Sequence, residues 1–189
     1  GAATLLIVTV ALIISYARHL SRSVSMIAVA RLAAVGYTVP GTVVAIGVLA
    51  VFASLREIDS RLFLFGTIAG LLFAYVARYL AVALQPIEGA FARRHRSVVD
   101  AARSLGRPPS VVLTRVVLPM FRPTLAGAAL LVAIDVVKDL PMTLLLRPFD
   151  FDTLAIEVYA LASDERMADA APAALLLVIV GLLAILSVM

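Results

Sequence analysis

Apolar residues run along this chain in five long blocks, at 1–17, 33–55, 62–84, 119–137 and 168–189, separated by short polar breaks and by one long polar stretch, 85–118. Each block has about 17–23 residues, close to the ~20 that a helix needs to cross ~30 Å of hydrocarbon. The pattern predicts an all-α, polytopic transmembrane helical bundle of about five spans. Composition agrees: 63% of the 189 residues are apolar and 15% charged, against about 45–50% and about 25% in a soluble domain. A chain this short hides only part of its surface in a core, so the excess apolar surface must face lipid.

The charges orient the blocks. Segments 18–32 and 85–122 carry ten Arg against Glu88 and Asp100, whereas the segments on the other side carry ten acids against five bases. Basic loops mark the cytoplasmic face, so 18–32 and 85–122 are read as cytoplasmic. Strict alternation of five spans agrees. The surplus of arginine therefore reports topology, and no nucleic-acid partner is implied. The first block is not expected to be a signal peptide, since the sequence shows no basic segment ahead of it. Both terminal blocks run to the limits of the chain, and the expectation is a piece, or one half, of something longer.

Counting removes most enzyme classes. With no cysteine, disulfides, zinc ribbons, iron–sulfur centres and cysteine nucleophiles are excluded. The single lysine, Lys138, has no glycine loop around it, so the phosphate-binding GxxxxGK[ST] loop is absent. His19 and His95 lack ligand-spaced partners, and no span holds a histidine to activate Ser15 or Ser54. Neither a metal site nor bond chemistry is expected of this chain.

Within the blocks, Gly66, Gly70 and Ala74 fall at i, i+4 and i+8, a small-residue ridge suited to close packing against another helix. Arg78 continues that line about six residues, or ~9 Å, from the cytoplasmic end of its block. It either snorkels to the headgroups or lines a path. In the second block Pro40 kinks or starts the helix, and Gly41 with Ala45 offers another packing face.

The 85–118 stretch reads as two short helices. Ser97 and Asp100 fit a capping box, Gly106 offers a left-handed stop, and Pro108-Pro109 cannot continue the helix. Ser110 is the expected cap of a second helix ending near Pro119. About eight residues of helix are marginal alone, so a partner surface is expected. A solvated basic loop would explain the arginines but not the face made by Ala101, Ala102 and Leu105.

Those residues carry a family resemblance. Asp100-Ala101-Ala102, three residues, Gly106, nine residues and Val116-Val117-Leu118-Pro119 resemble the signature EAA-x3-G-x9-I-x-LP of ABC-importer permeases, with Asp for Glu and Val for Ile. The resemblance implies a cytoplasmic coupling helix, contacting a separate ATPase subunit through Asp100, Ala101, Ala102, Leu105 and Gly106. The segments GYTVPGT (36–42), KDLPMTLLLRPF (138–149) and FDTLA (151–155) resemble the ferric-iron subgroup, where Glu usually stands at the place of Asp139. The resemblance further implies a single permease unit over 1–189, one half of a tandem permease in the bacterial inner membrane. Its implied partners are an ATPase dimer that binds ATP and Mg, a periplasmic or extracellular substrate-binding protein, and a second permease half or copy. This chain itself would hold no cofactor. Sulfate, thiamine and polyamine importers share the coupling motif, and an ion-gradient-driven transporter or channel is the rival from another class.

Asp135, Lys138 and Asp139, at i, i+3 and i+4 near the outer end of span four, share one helix face. Two readings stay open. They form a translocation path, with hard carboxylate oxygens and a phenol from Tyr159 suited to a highly charged cation, or Lys138 neutralises one or both aspartates. Beyond them, 152–162 is expected to be a short helix capped by Asp152, with Leu154, Val158 and Leu161 on one face. Asp169 and Pro172 are the expected cap and first-turn proline of the last span.

Overall fold

The computed structural model describes residues 1–21, 28, 32–33, 35–58, 64, 66–94 and 96–186. Arg22, Arg31, Asp59, Arg61 and His95, and the side chains of Arg93, Arg94, Arg96 and Ser97, lie outside that description. Among the described residues every regular element is helical: α1 (Ala2–Ser21), α2 (Gly41–Ile58), α3 (Ile68–Arg94), α4 (Arg96–Ser104) and α5 (Pro109–Val112) come first. After α5, a π-helical turn (Leu113–Val117) leads to α6 (Leu118–Met120), α7 (Arg122–Val137), α8 (Pro141–Leu146), α9 (Leu154–Ser163) and α10 (Met167–Leu186).

The longest helix, α3, is the axis of the bundle. Its 27 residues extend ~40 Å, and its most apolar stretch is 50% buried against 6% for α10. The α1 and α7 helices pack on α3. Ala3, Ile7 and Ala11 recur every four residues along α1, and Ala83, Ile87 and Ala90 fall at i, i+4 and i+7 along α3, all buried. Such spacing keeps small or branched side chains on one face, where helices approach closely without lipid between them. Apart from a stripe through Ala170 and Ala174 that faces its neighbours, the apolar surface of α10 is exposed within the chain, the kind that meets lipid or another membrane chain.

Several elements depart from the sequence reading. Residues 85–94, expected to open the cytoplasmic loop, instead extend α3 straight through Pro86. A membrane helix tolerates such a proline because neighbouring helices support the freed carbonyl. Gly66 does not belong to the packing ridge. It sits in the turn before α3 at φ +58° with nothing within 4 Å of a would-be Cβ. Gly70 does pack: a Cβ there would strike the Leu64 carbonyl and come 3.0 Å from the Phe52 ring. Ala74 is fully buried.

The caps also move. The α4 helix starts at Arg96, which puts Ser97 inside its first turn. The second loop helix is entered from Pro108 with Pro109 at its first position, so Ser110 is not its cap. Proline suits the first turn because the missing N–H is an orphan there anyway. Thr153, not Asp152, caps α9, its Oγ1 accepting from the Ile156 N–H at 3.4 Å. Asp152 pairs instead with Arg147. The buried residues of α9 are Ala155 and Ile156, while Leu154 is exposed. Asp169 lies within the first turn of α10 and accepts from Arg166 at 2.8 Å, and Pro172 is inside the helix.

Candidate translocation site at two helix breaks

Two spans are interrupted at one depth. Residues 35–38 are helical, the chain breaks at 39–40, and α2 begins at Gly41. Span four likewise does not end at Val137. After a break at 138–140 it resumes as α8. Asp139 is bonded to Tyr79 and Thr143 to Tyr75, so one turn forward along the chain is one turn back along α3. The α8 helix therefore continues in the direction of α7 beside α3. Asp135 lies near the end of α7, and Lys138 and Asp139 lie in the break between α7 and α8. Tyr79 lies ~16 Å from the first residue of α3 and ~22 Å from the last, by 1.5 Å per residue.

Close approach makes this junction possible. A Cβ on Gly36 would strike the Ala77 carbonyl, and one on Gly41 would come 3.0 Å from the Arg78 Nη1 and 3.3 Å from Pro141. Arg78 does not snorkel. With α3 running on to Arg94, it lies ~24 Å from the cytoplasmic end. Its Nη1 donates to the Val39 carbonyl at 2.9 Å and its guanidinium carbon stands 5.5 Å from the centre of the Tyr79 ring. A cation at carbonyls freed by a helix end answers both their lone pairs and the negative end of the helix dipole.

The two aspartates have separate environments. Asp139 is buried, and its Oδ1 accepts from the Tyr79 hydroxyl at 2.6 Å. Its Oδ2 accepts from the Thr143 N–H at 3.0 Å and the Thr143 hydroxyl at 2.9 Å, so the carboxylate also ties down the first turn of α8. Thr143 in turn meets Tyr75 Oη at 2.5 Å. Asp135 is buried too, but its Oδ1 is 2.7 Å from the Lys138 Nζ and its Oδ2 accepts from the Tyr37 hydroxyl at 3.3 Å. The Lys138 side chain is 65% exposed. Lys138 thus engages Asp135 and not Asp139. Tyr159 stands exposed on α9, and the phenols that reach the carboxylates are Tyr37 and Tyr79. Among the described residues, no three His, Asp or Glu side chains gather to hold a metal.

At the cytoplasmic end, α4 is seated by two side chains. Val99 is buried and Ala102 half-buried against the core. Asp100, Ala101, Leu105 and Gly106 are exposed, Leu105 to 81%. Val98, Ala101 and Leu105, at i, i+3 and i+7, line up on the outward face. Gly106 adopts φ +75°, and its N–H bonds to the Arg103 carbonyl at 2.9 Å, the left-handed stop that its sequence position predicts. Below α4, the Tyr16 hydroxyl donates to the Pro109 carbonyl at 2.9 Å, Arg18 pairs with Glu88 at 2.5 Å, and Phe91 packs on Phe121 at 4.5 Å and on His19 at 5.2 Å.

A chain with these spans, and a capped helix offered outward from their cytoplasmic end, matches the family of binding-protein-dependent transport system inner membrane components over residues 7–189. It belongs to that family. Among curated proteins it is 32% identical, over 179 residues and 95% of its length, to the Fe(3+)-transport system permease protein FbpB 2 of Haemophilus influenzae. The chain spans 34% of that relative's length. As an inner membrane component the protein is a multi-pass membrane chain and part of a transport system.

For this inner membrane component, sequence reasoning places Asp135, Lys138 and Asp139 together but misses Tyr37, Tyr79 and Thr143, which hold the two carboxylates, and Tyr75, which holds Thr143. The available signal is weak. Tyr75 and Tyr79 lie one turn apart on α3, the spacing that presents two phenols to one neighbour. Tyr37 falls within the GYTVPGT segment, beside the Pro that breaks its helix.

Proposed function

We propose that the chain is one permease unit, within a longer tandem, of an ATP-driven importer that moves ferric iron inward by alternating access. The observation that carries this reading is α4: anchored by Val99, stopped at Gly106, and presenting Val98, Ala101 and Leu105 to the cytoplasm. An apolar stripe on a short helix outside the membrane has no use for lipid and fits a groove on a soluble partner. In this reading the partner is an ATPase dimer, which holds ATP and Mg, so the permease needs no ATP site of its own. A substrate-binding protein delivers cargo to the acidic outer side, and a second permease half or copy completes the path.

Ferric iron as cargo is supported by the transport named for the Haemophilus relative and by oxygen donors at the helix breaks that suit a hard cation. The full-length transporter, with its ATPase and binding protein in proteoliposomes, tests both. Leu105→Glu and Ala101→Arg are expected to abolish substrate-stimulated ATP hydrolysis and co-purification of the ATPase while leaving the bundle's melting midpoint in place. Unchanged coupling in both variants refutes the docking role. Flux driven by an ion gradient without ATPase would favour the channel or secondary-transporter class, and uptake of sulfate, thiamine or polyamine in place of iron would reassign the cargo.

A further inference from the structure

The Asp135–Lys138 pair is built unlike its neighbour. Asp139 is saturated by three hydrogen-bond donors and carries no cation, whereas Asp135 has one oxygen on the Tyr37 phenol and the other on an ammonium 2.7 Å away. The Asp135 side chain is 11% exposed and that of Lys138 65%, so the carboxylate is approached from the side that the lysine occupies. The pair lies close to the level of Tyr79, which is ~16 Å from one end of α3 and ~22 Å from the other. A charged side chain exposed at that depth does not face lipid but a watery path or another protein unit. Lysine is a compact point charge on a flexible four-carbon stem, able to swing away and return.

An arriving cation must therefore displace a tethered ammonium. Attraction to a carboxylate scales with charge. A monovalent ion gains no more than the ammonium gives up, and it competes against a tether that holds a high effective concentration. A trivalent, oxygen-seeking ion gains about three times as much at the same distance. When it leaves, the lysine folds back, so the site favours entry without retention, as conduction requires.

Resting on the import reading above, we propose that Lys138 is a tethered counter-ion that keeps Asp135 closed to monovalent cations and yields it to multivalent ones. The pair is then a specificity determinant of the path, with Tyr37 orienting the carboxylate. The full-length transporter in detergent is titrated with terbium(III), a trivalent probe whose emission is sensitised by a nearby tyrosine, here Tyr37. Lys138→Met is expected to tighten terbium binding about tenfold and to make it sensitive to added sodium. Lys138→Arg should keep the wild-type behaviour, and Asp135→Asn should abolish the sensitised signal. Wild-type affinity in Lys138→Met, or a persistent signal in Asp135→Asn, overturns the proposal. ATP-driven uptake of ferric iron by the wild type is measured in parallel. Its absence overturns the cargo reading alone, since the terbium exchange is scored separately.

Discussion

Asp139 lies at the centre of a buried network, and removing it should cost more than removing any of its partners. Asp139→Ala strands the Tyr79 hydroxyl, the Thr143 N–H and the Thr143 hydroxyl, with Asp139, Tyr79 and Thr143 all buried. Each orphaned donor costs about 1–3 kcal/mol, so the three together, allowing for partial relaxation, come to about 3–5 kcal/mol. Tyr79→Phe removes one donor from a carboxylate that keeps two others, about 1.5–3 kcal/mol for a bond to a charged group. Tyr75→Phe removes a neutral bond to Thr143, about 0.5–1.5 kcal/mol. The order Asp139→Ala, Tyr79→Phe, Tyr75→Phe is checked by reversible unfolding in mixed micelles. A double-mutant cycle on Tyr79→Phe and Asp139→Asn should show coupling above about 0.5 kcal/mol. If Asp139→Ala destabilises no more than Tyr75→Phe, the network does not hold α8 and the reasoning fails.

Other expectations are simpler to score. Gly70→Ala should lower the melting midpoint, because its Cβ meets the Leu64 carbonyl and the Phe52 ring, whereas Gly127→Ala, open to space, should be neutral or gain up to about 1 kcal/mol of helix propensity. Gly106→Ala must hold φ near +75° at a cost of about 1–2 kcal/mol, which should appear as faster amide hydrogen exchange at the end of α4. Arg78→Met leaves the Val39 carbonyl without its donor, and the expected loss of about 1–3 kcal/mol is read by the same unfolding assay.

Legibility in the sequence tracks the range of the interaction. Span number and class come from apolar blocks, which act residue by residue on lipid. Gly106 is readable because a left-handed stop is a local demand. The start of α4, the cap of α9 and the roles of Ser110 and Asp169 slip by a residue or more, since neighbouring polar residues compete for the same backbone groups. The sequence leaves Arg78 open between two roles because its partner, the Val39 carbonyl 39 residues away, is supplied by packing. The partner of Asp139 on α3 lies 60 residues away at Tyr79, and no local pattern names a partner at that separation. Spacing sets Lys138 beside two aspartates, but only packing assigns it to Asp135.

The 77° bend between the Pro109–Met120 arm and α7 sets a gear ratio. Twelve helical residues make an arm of ~18 Å, so a push of ~3 Å at its tip turns the joint at Phe121 through ~10°. Because Phe121 is buried against Phe91, that torque is shared with α3. In the import reading the same rotation would reach Asp135 near the end of α7 and, through Phe91, the α3 helix that carries Tyr79, so that a short stroke at the arm becomes a turn at the charged break.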